Sequence, residues 1–334
     1  MLNFRFILLF LVTASVLFSC SDYNKLLKSE DMDLKLDKGI EFFEAKKYDK
    51  AMPLLEEVVA SGKFRGTEKA EKLYYTYAYC HYYLKEFYLA AYYFKMFSRT
   101  FPRSRYAEEC LFMSAMCNVK NSPKTSLDQA ETKEAINEIQ LFLNRYPESP
   151  RRDTCNKILD QLNNKLETKA FDNAALYYKI ENYKAASIAL KSMLEEYPMS
   201  RYKEEAMFMI VNADFRLAEN SIDEKKVERY EQTQVSCTNF IAAYPESKHR
   251  RAVDEVYASA QKNALDFKAK DMYLKIKTEM NAADKAPKEK KLALYAQVSK
   301  SCSTFVSLYP ESDFRKEVDA MNEEATKQIE LLKP

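Results

Sequence analysis

The octapeptide Phe97-Ser98-Arg99-Thr100-Phe101-Pro102-Arg103-Ser104 holds the phrase that decides the fold. The phrase recurs as Tyr146-Pro147-Glu148-Ser149, Tyr197-Pro198-Met199-Ser200, Tyr244-Pro245-Glu246-Ser247 and Tyr309-Pro310-Glu311-Ser312. Each copy has a large apolar residue four before its aromatic: Phe97, Phe142, Met193, Phe240 and Phe305. Residues four apart share a helix face, so the aromatic packs in the last turn of a helix. Proline then stops that helix, and serine two residues on is a good N-cap for the next. The phrase is therefore a helix–turn–helix joint used five times, with prolines 45, 51, 47 and 65 residues apart.

A second pattern runs through the helices before the joints. Gly39 is followed by Phe42, Ala51, Leu55 and Val58. Ala78 is followed by His81, Ala90, Phe94, Phe97 and Pro102, and Ala174 by Tyr177, Ala186, Leu190, Met193 and Pro198. The offsets are +3, +12, +16 and +19, with +24 for proline. Small residues twelve apart let two antiparallel helices approach closely, and Tyr48, Phe87 and Tyr183 each precede the second small residue by three. This is the tetratricopeptide pattern, with longer helices and loops than its ~34-residue unit. The intra-pair turns are marked by Glu44–Tyr48, Lys85–Phe87 and Ile180–Tyr183.

The expected fold is an all-α, tetratricopeptide-like superhelix of about five helix pairs over 34–250, with a C-terminal helical repeat extension over 251–334. The third unit runs from Ser104 to Tyr146 with an enlarged turn at Asn118–Gln129. The fifth has Thr233 in place of its second small residue and a turn around Ser221–Lys226. Beyond Ser247 the pattern predicts a long helix to about Met280, a charged connector Asn281–Lys291, a helix Leu292–Leu308 and a closing helix Asp313–Leu332. The connector reads either as a hinge or as a solvated loop.

Composition closes off other classes. The 334 residues include only 3 Gly, 10 Pro and no Trp, but 24 Tyr and 20 Phe. Average usage would give roughly 23 glycines, and sheets joined by tight turns need Gly where φ is positive. The three glycines spell neither GxGxxG nor a P-loop. The two histidines, His81 and His249, cannot make a HExxH zinc site. His81 reads as a packing residue, and His249, in the basic run Lys248–Arg251, as part of a solvated face. A net charge of +2 supplies no field for nucleic acid or anionic lipid. Carboxylates sit in charge-mixed helical runs such as Glu204-Glu205 and Glu323-Glu324, with no nucleophile–base pair. No enzyme, cofactor or metal site is expected.

The N-terminus reads as an address. Phe6–Phe18 is apolar except for Thr13 and Ser15. It spans about 20 Å as a helix, too short for a bilayer core of ~30 Å. Residues 1–19 are expected to be a signal peptide. They end in Leu17-Phe18-Ser19-Cys20, which resembles a lipobox apart from Phe18 at its middle position. The resemblance implies that Cys20 becomes the first mature residue and carries covalent lipid, the only non-protein group expected. Ser21 resembles the outer-membrane default of such lipoproteins, and 20–33 reads as a lipidated tether. The other cysteines, Cys80, Cys110, Cys117, Cys155, Cys237 and Cys302, show no CxxC spacing. Cys110 and Cys117 lie about 10.5 Å apart along one helix, too far for a disulfide. Most sit inside apolar helical patterns, so the set reads as small core residues, with disulfide partners or metal ligands as the alternative.

Lipobox, tether and five joints together resemble the BamD (ComL/YfiO) family, the lipoproteins of the bacterial β-barrel assembly machine. Phe101–Glu108, Phe142–Thr154 and above all Lys169–Ala213 carry the resemblance, the last through Ala174-Ala-Leu-Tyr-Tyr178, Tyr183, Tyr197-Pro198 and Arg201-Tyr202. It extends from Cys20 to about Leu217, and at most to Tyr257. The resemblance implies a lipid anchor in the outer membrane, on its periplasmic face. It also implies two partners: the periplasmic domain of the BamA-like β-barrel insertase, and unfolded outer-membrane proteins.

In tetratricopeptide arrays the first helix of each pair lines a concave groove. Tyr75, Tyr79, Tyr82 and Tyr83 fall on one stripe at helical spacing. The matching stripes are Leu36, Ile40 and Phe43 in the first unit, Phe112 and Met116 in the third, and Phe171 and Tyr178 in the fourth. Tyrosines offer large rigid contact area with a hydroxyl that can stay wet. These rings form either a peptide-binding wall or packing between helices. The alternative functions are a tetratricopeptide lipoprotein for nutrient or glycan capture and a general envelope adaptor.

Overall fold

The computed structural model describes residues 22–333, so Cys20 and the expected signal peptide lie outside the described residues. The described residues contain no strand. The chain divides into two compact units between Leu166 and Glu167, a point inside one helix.

The first unit holds α1 (Met32–Glu44), α2 (Tyr48–Ser61), α3 (Glu68–Tyr83), α4 (Phe87–Thr100), α5 (Ala107–Asn121), α6 (Ala130–Arg145) and the start of α7 (Arg152–Lys179). The second holds the rest of α7, then α8 (Tyr183–Glu196), α9 (Lys203–Glu219), α10 (Asp223–Ala243), α11 (Arg250–Lys285), α12 (Lys288–Leu308) and α13 (Arg315–Leu332). From α1 to α6, and again from α8 to α13, each helix packs on the next. First helices also touch first helices across a pair: α1 on α3, α9 on α11, α11 on α13. That stacking makes each unit a tetratricopeptide-like all-α array.

Close approach follows from the small residues. Gly39, Ala51, Ala78, Ala90, Ala174 and Ala186 are all buried. A Cβ on Gly39 would stand 2.7 Å from Leu55 Cδ2 and 2.9 Å from Leu55 Cγ, so only glycine fits there unless Leu55 moves. Between the small positions sit Phe94, Phe97, Phe142, Leu190, Phe240 and Phe305, all essentially without exposed surface. Full burial of each such side chain is worth about 1.5–3 kcal/mol.

All five joints have one geometry. The aromatic residue holds φ between −121° and −137° and ψ between 61° and 70°. Its N–H bonds the carbonyl four back at 2.8–2.9 Å, and the serine N–H bonds the aromatic's carbonyl at 3.0–3.2 Å. The serine does not sit at the helix N-cap as the phrase suggested. It starts a turn one step earlier, and its Oγ accepts the N–H two residues on, from Tyr106, Arg151, Tyr202, His249 and Phe314.

Intra-pair turns need a left-handed residue after the first helix. Lys46, Lys85 and Glu181 take that place with φ of 58°, 65° and 62°. Each following residue donates to the carbonyl five back: Lys47 to Phe42, Glu86 to His81, Asn182 to Tyr177. Glycine scarcity thus carries a local strain at three turns.

Several expectations are corrected. The polar tether is not free over its described part: residues 22–27 are helical, the Tyr23 ring meets Phe42 edge-on at 5.7 Å, and its hydroxyl donates to Lys50 O at 2.9 Å. Asp31 caps α1 by accepting from the Asp33 and Leu34 N–H groups. The charged connector shrinks to Ala286-Pro287, because Asn281–Lys285 and Lys288–Lys291 are strong helix-forming stretches that extend α11 and α12. Pro287 then stands at the N-cap of α12. No hinge loop exists there, and the extension forms a sixth pair closed by α13. The turn expected at Ser221–Lys226 is only Asn220–Ile222.

All six described cysteines are free and buried. Burial pushes the thiols of Cys80, Cys117 and Cys237 up to about 12 and that of Cys302 to about 11, which makes them poor nucleophiles.

Candidate peptide-binding face

The stripe on α3 is anchored by its neighbours. Tyr79 is buried, meets Phe94 edge-on at 4.8 Å, and donates its hydroxyl to Glu109 of α5. Tyr75 donates to the same carboxylate at 3.2 Å. Burial first, and the Glu109 carboxylate second, push both phenols well above their ordinary value. Leu36 is likewise buried. Leu36 and Tyr79 are therefore core side chains and leave the candidate wall.

Six of the other stripe residues fall into two repeated jobs. An aromatic three before the buried small or branched position of each first helix packs against the residue two after the next joint serine, stacked in three pairs and tilted by 37° at Tyr75–Tyr106. The pairs are Tyr75–Tyr106 at 4.5 Å, Phe171–Tyr202 at 4.4 Å, Phe208–His249 at 4.1 Å and Tyr273–Phe314 at 4.6 Å. At Phe112 the partner is the Arg151 guanidinium, 5.2 Å from the ring centre. His249 thus packs on a ring and is not part of a solvated face. The second job closes the intra-pair turns. Phe43, Tyr82 and Tyr178 meet Tyr48, Phe87 and Tyr183 edge-on at 5.6, 5.7 and 5.7 Å.

One turn before the stacking aromatic comes a residue that sequence reasoning did not single out. Glu71, Glu108, Glu167 and Glu204 each accept the hydroxyl of the following joint serine: Ser104 at 2.7 Å, Ser149 at 2.7 Å, Ser200 at 2.6 Å and Ser247 at 2.6 Å. Glutamate and aromatic, four apart, clamp these four joints from one helix face. The signal was present in Ser-Arg-Tyr-Ala-Glu108 and Ser-Arg-Tyr-Lys-Glu204, but each partner serine lies 33 to 43 residues further on.

What remains accessible is narrow. Ile40 and Met116 are half-buried in their clusters. Tyr83 alone in the stripe is largely exposed, at 46%, stacked on Tyr48 at 4.4 Å and 12°. In the same unit Tyr88, Leu89 and Tyr92 stand exposed on α4, the second helix of the pair. His81 is buried between the Tyr77 and Tyr93 rings with Nδ1 2.6 Å from Glu86 Oε2. Among the described residues no group of three His, Cys, Asp or Glu is placed to hold a metal, and no helix is long and apolar enough to cross a membrane.

Residues 31–229, well over half of the chain, match the family described as YfiO, outer membrane lipoprotein. The chain belongs to the YfiO family. Among curated relatives it is similar to the outer membrane protein assembly factor BamD of Caulobacter vibrioides, 22% identical over 173 residues. That match covers 51% of this chain and 57% of the relative, so the chain spans a little over half the length of the protein it resembles. Solved structures give weaker likenesses. The TPR2AB domain of yeast Sti1 in its pHSP90 complex has TM-score 0.34 at 12% identity, covering 88% of this chain and 98% of that one. RapI in its apo form has TM-score 0.29 at 15% identity, with 90% and 99% covered. The YfiO match stops short of α11, α12 and α13, so the sixth pair and its closing helix stand outside it.

Proposed function

We propose that this YfiO-family chain is a lipid-anchored scaffold subunit of the outer-membrane β-barrel assembly machinery. On this reading Cys20 carries the lipid, and the protein works on the periplasmic face. Its helix pairs hold the periplasmic domain of a BamA-like insertase and receive unfolded outer-membrane proteins. The observation that carries the reading is the family match over residues 31–229. The architecture supports it: stacked helix pairs with clamped joints offer helix faces for binding. Tyr83 on α3, and Tyr88 and Tyr92 on α4, are exposed tyrosines, each able to give an extended peptide rigid contact area.

Affinity purification from detergent-solubilised outer membranes tests the whole. Recovery of a β-barrel insertase is expected, and recovery of a nutrient transporter in its place would overturn the proposal. Cys20→Ala should move the protein to the soluble fraction, whereas persistent membrane attachment would reject lipidation.

A further inference from the structure

Four joints are clamped twice, and the fifth is clamped once. At the fifth, the stack of Tyr273 on Phe314 is kept, but Ala269 occupies the place that Glu71, Glu108, Glu167 and Glu204 hold in the other first helices. The register is fixed by the stack, since Ala269 precedes Tyr273 by four, as each glutamate precedes its aromatic. Ser312 therefore accepts from Phe314 N–H with no carboxylate for its own proton. A cavity of about 330 Å³ lies between α11 and the joint, with Ala269 in its wall. Leu265, Ala269, Leu308, Tyr309 and Pro310 make its apolar wall. Leu265 and Leu308 are 48% and 58% exposed, so the apolar wall reaches the surface.

Charge around the opening is also inverted. The residue after the joint serine is Arg105, Arg201 or Lys248 at three of the clamped joints, with Arg151 two residues on at the fourth, but Asp313 at the fifth. Asp266 and Glu311 flank the cavity, and Asp313 lines the adjoining hollow beside Phe314. Lys262 is the only basic side chain lining the cavity. In the adjoining hollow Lys270 is already paired with Asp223 at 2.6 Å.

We propose that this fifth joint is a docking groove for a partner protein segment that presents an apolar side chain flanked by lysines or arginines. The apolar anchor enters the cavity beside Leu265, Ala269 and Leu308, and the basic groups meet Asp266, Glu311 and Asp313. Acidic rims of this kind favour encounter with basic segments and disfavour acidic ones. The site lies beyond the YfiO match and does not depend on the assembly reading.

The test uses the full chain and a short acetylated, amidated, fluorescent peptide of apolar residues set among lysines. Its control has glutamates in place of the lysines. Fluorescence anisotropy should show binding of the lysine peptide that weakens with added salt, and about tenfold weaker binding of the glutamate peptide. Ala269→Glu supplies the carboxylate found at the other four joints. It should keep or raise the melting temperature while cutting lysine-peptide binding about tenfold. Asp266→Lys, an exposed surface change, should weaken the same peptide without altering the fold. Equal binding of both peptides, or lysine-peptide binding unchanged in both variants, overturns the proposal.

Discussion

Replacing Ser200 by alanine isolates the energetic worth of a joint clamp. Ser200 and Glu167 are 9% and 8% exposed, so their bond of 2.6 Å is shielded from water. A hydrogen bond to a charged group contributes about 1.5–3 kcal/mol. Ser200 Oγ also accepts from Tyr202 N–H at 2.9 Å, a cap-like contact worth about 1 kcal/mol. The Arg201 N–H, 2.9 Å from Glu167 Oε1, survives the change and keeps the carboxylate from being left bare. The expected cost is therefore about 3 kcal/mol. Ser312→Ala is the internal control, since that hydroxyl makes the cap-like contact at 3.3 Å without a glutamate. It should cost about 1 kcal/mol. Urea denaturation followed by far-ultraviolet circular dichroism gives both values, and a cycle of Ser200→Ala with Glu167→Ala gives the coupling directly. Equal costs at Ser200 and Ser312, or a coupling below about 0.5 kcal/mol, would show that the clamp is geometry without energy.

Three further outcomes are expected. Gly39→Ala gains about 1 kcal/mol of helix propensity but drives a Cβ against the fully buried Leu55. The crowding costs about 1–3 kcal/mol, so the melting temperature should fall, and a smaller residue at position 55 should recover part of it. Lys85→Gly relieves a non-glycine residue at φ 65° and should stabilise by about 1 kcal/mol in urea titration. Hydrogen bonds from Lys63 and Lys69 hold the Asp33 carboxyl down to about 2. A depressed carboxyl stabilises above its unfolded value and loses that contribution as pH falls from about 4 through about 2. Asp33→Asn should accordingly flatten the acid limb of the stability curve in that window, and an unchanged limb would dismiss the pairing.

The joints and the small-residue spacing were legible because they are local. Phe97 and Phe101, or Gly39 and Ala51, fix their meaning within a dozen residues. The fate of the tyrosine stripe was not legible. Tyr75 lies on the same helix face whether it meets a ligand or Tyr106, and only the return of the chain after Ser104 decides. The same holds for Glu71, Glu108, Glu167 and Glu204, which look like ordinary solvated first-helix acids until a serine comes back to them. The connector failed for another reason. Charge density in Asn281–Lys291 suggested a loop, but alanine, lysine and glutamate favour helix, and only Pro287 enforces a break. The family resemblance reached the right family; the residues chosen for its groove were largely the repeat's own fastenings.

The backward reach of the joint serines bears on how the chain acquires its shape. Ser104, Ser149, Ser200 and Ser247 each close a loop onto the helix one pair earlier, 33 to 43 residues behind. No such link waits for the C-terminus. A chain emerging N-terminus first can lock each pair as soon as the following joint appears, with little loop entropy to overcome. Segments already out need not stay exposed while later ones arrive, which limits the time that unpaired apolar helix faces are open to aggregation.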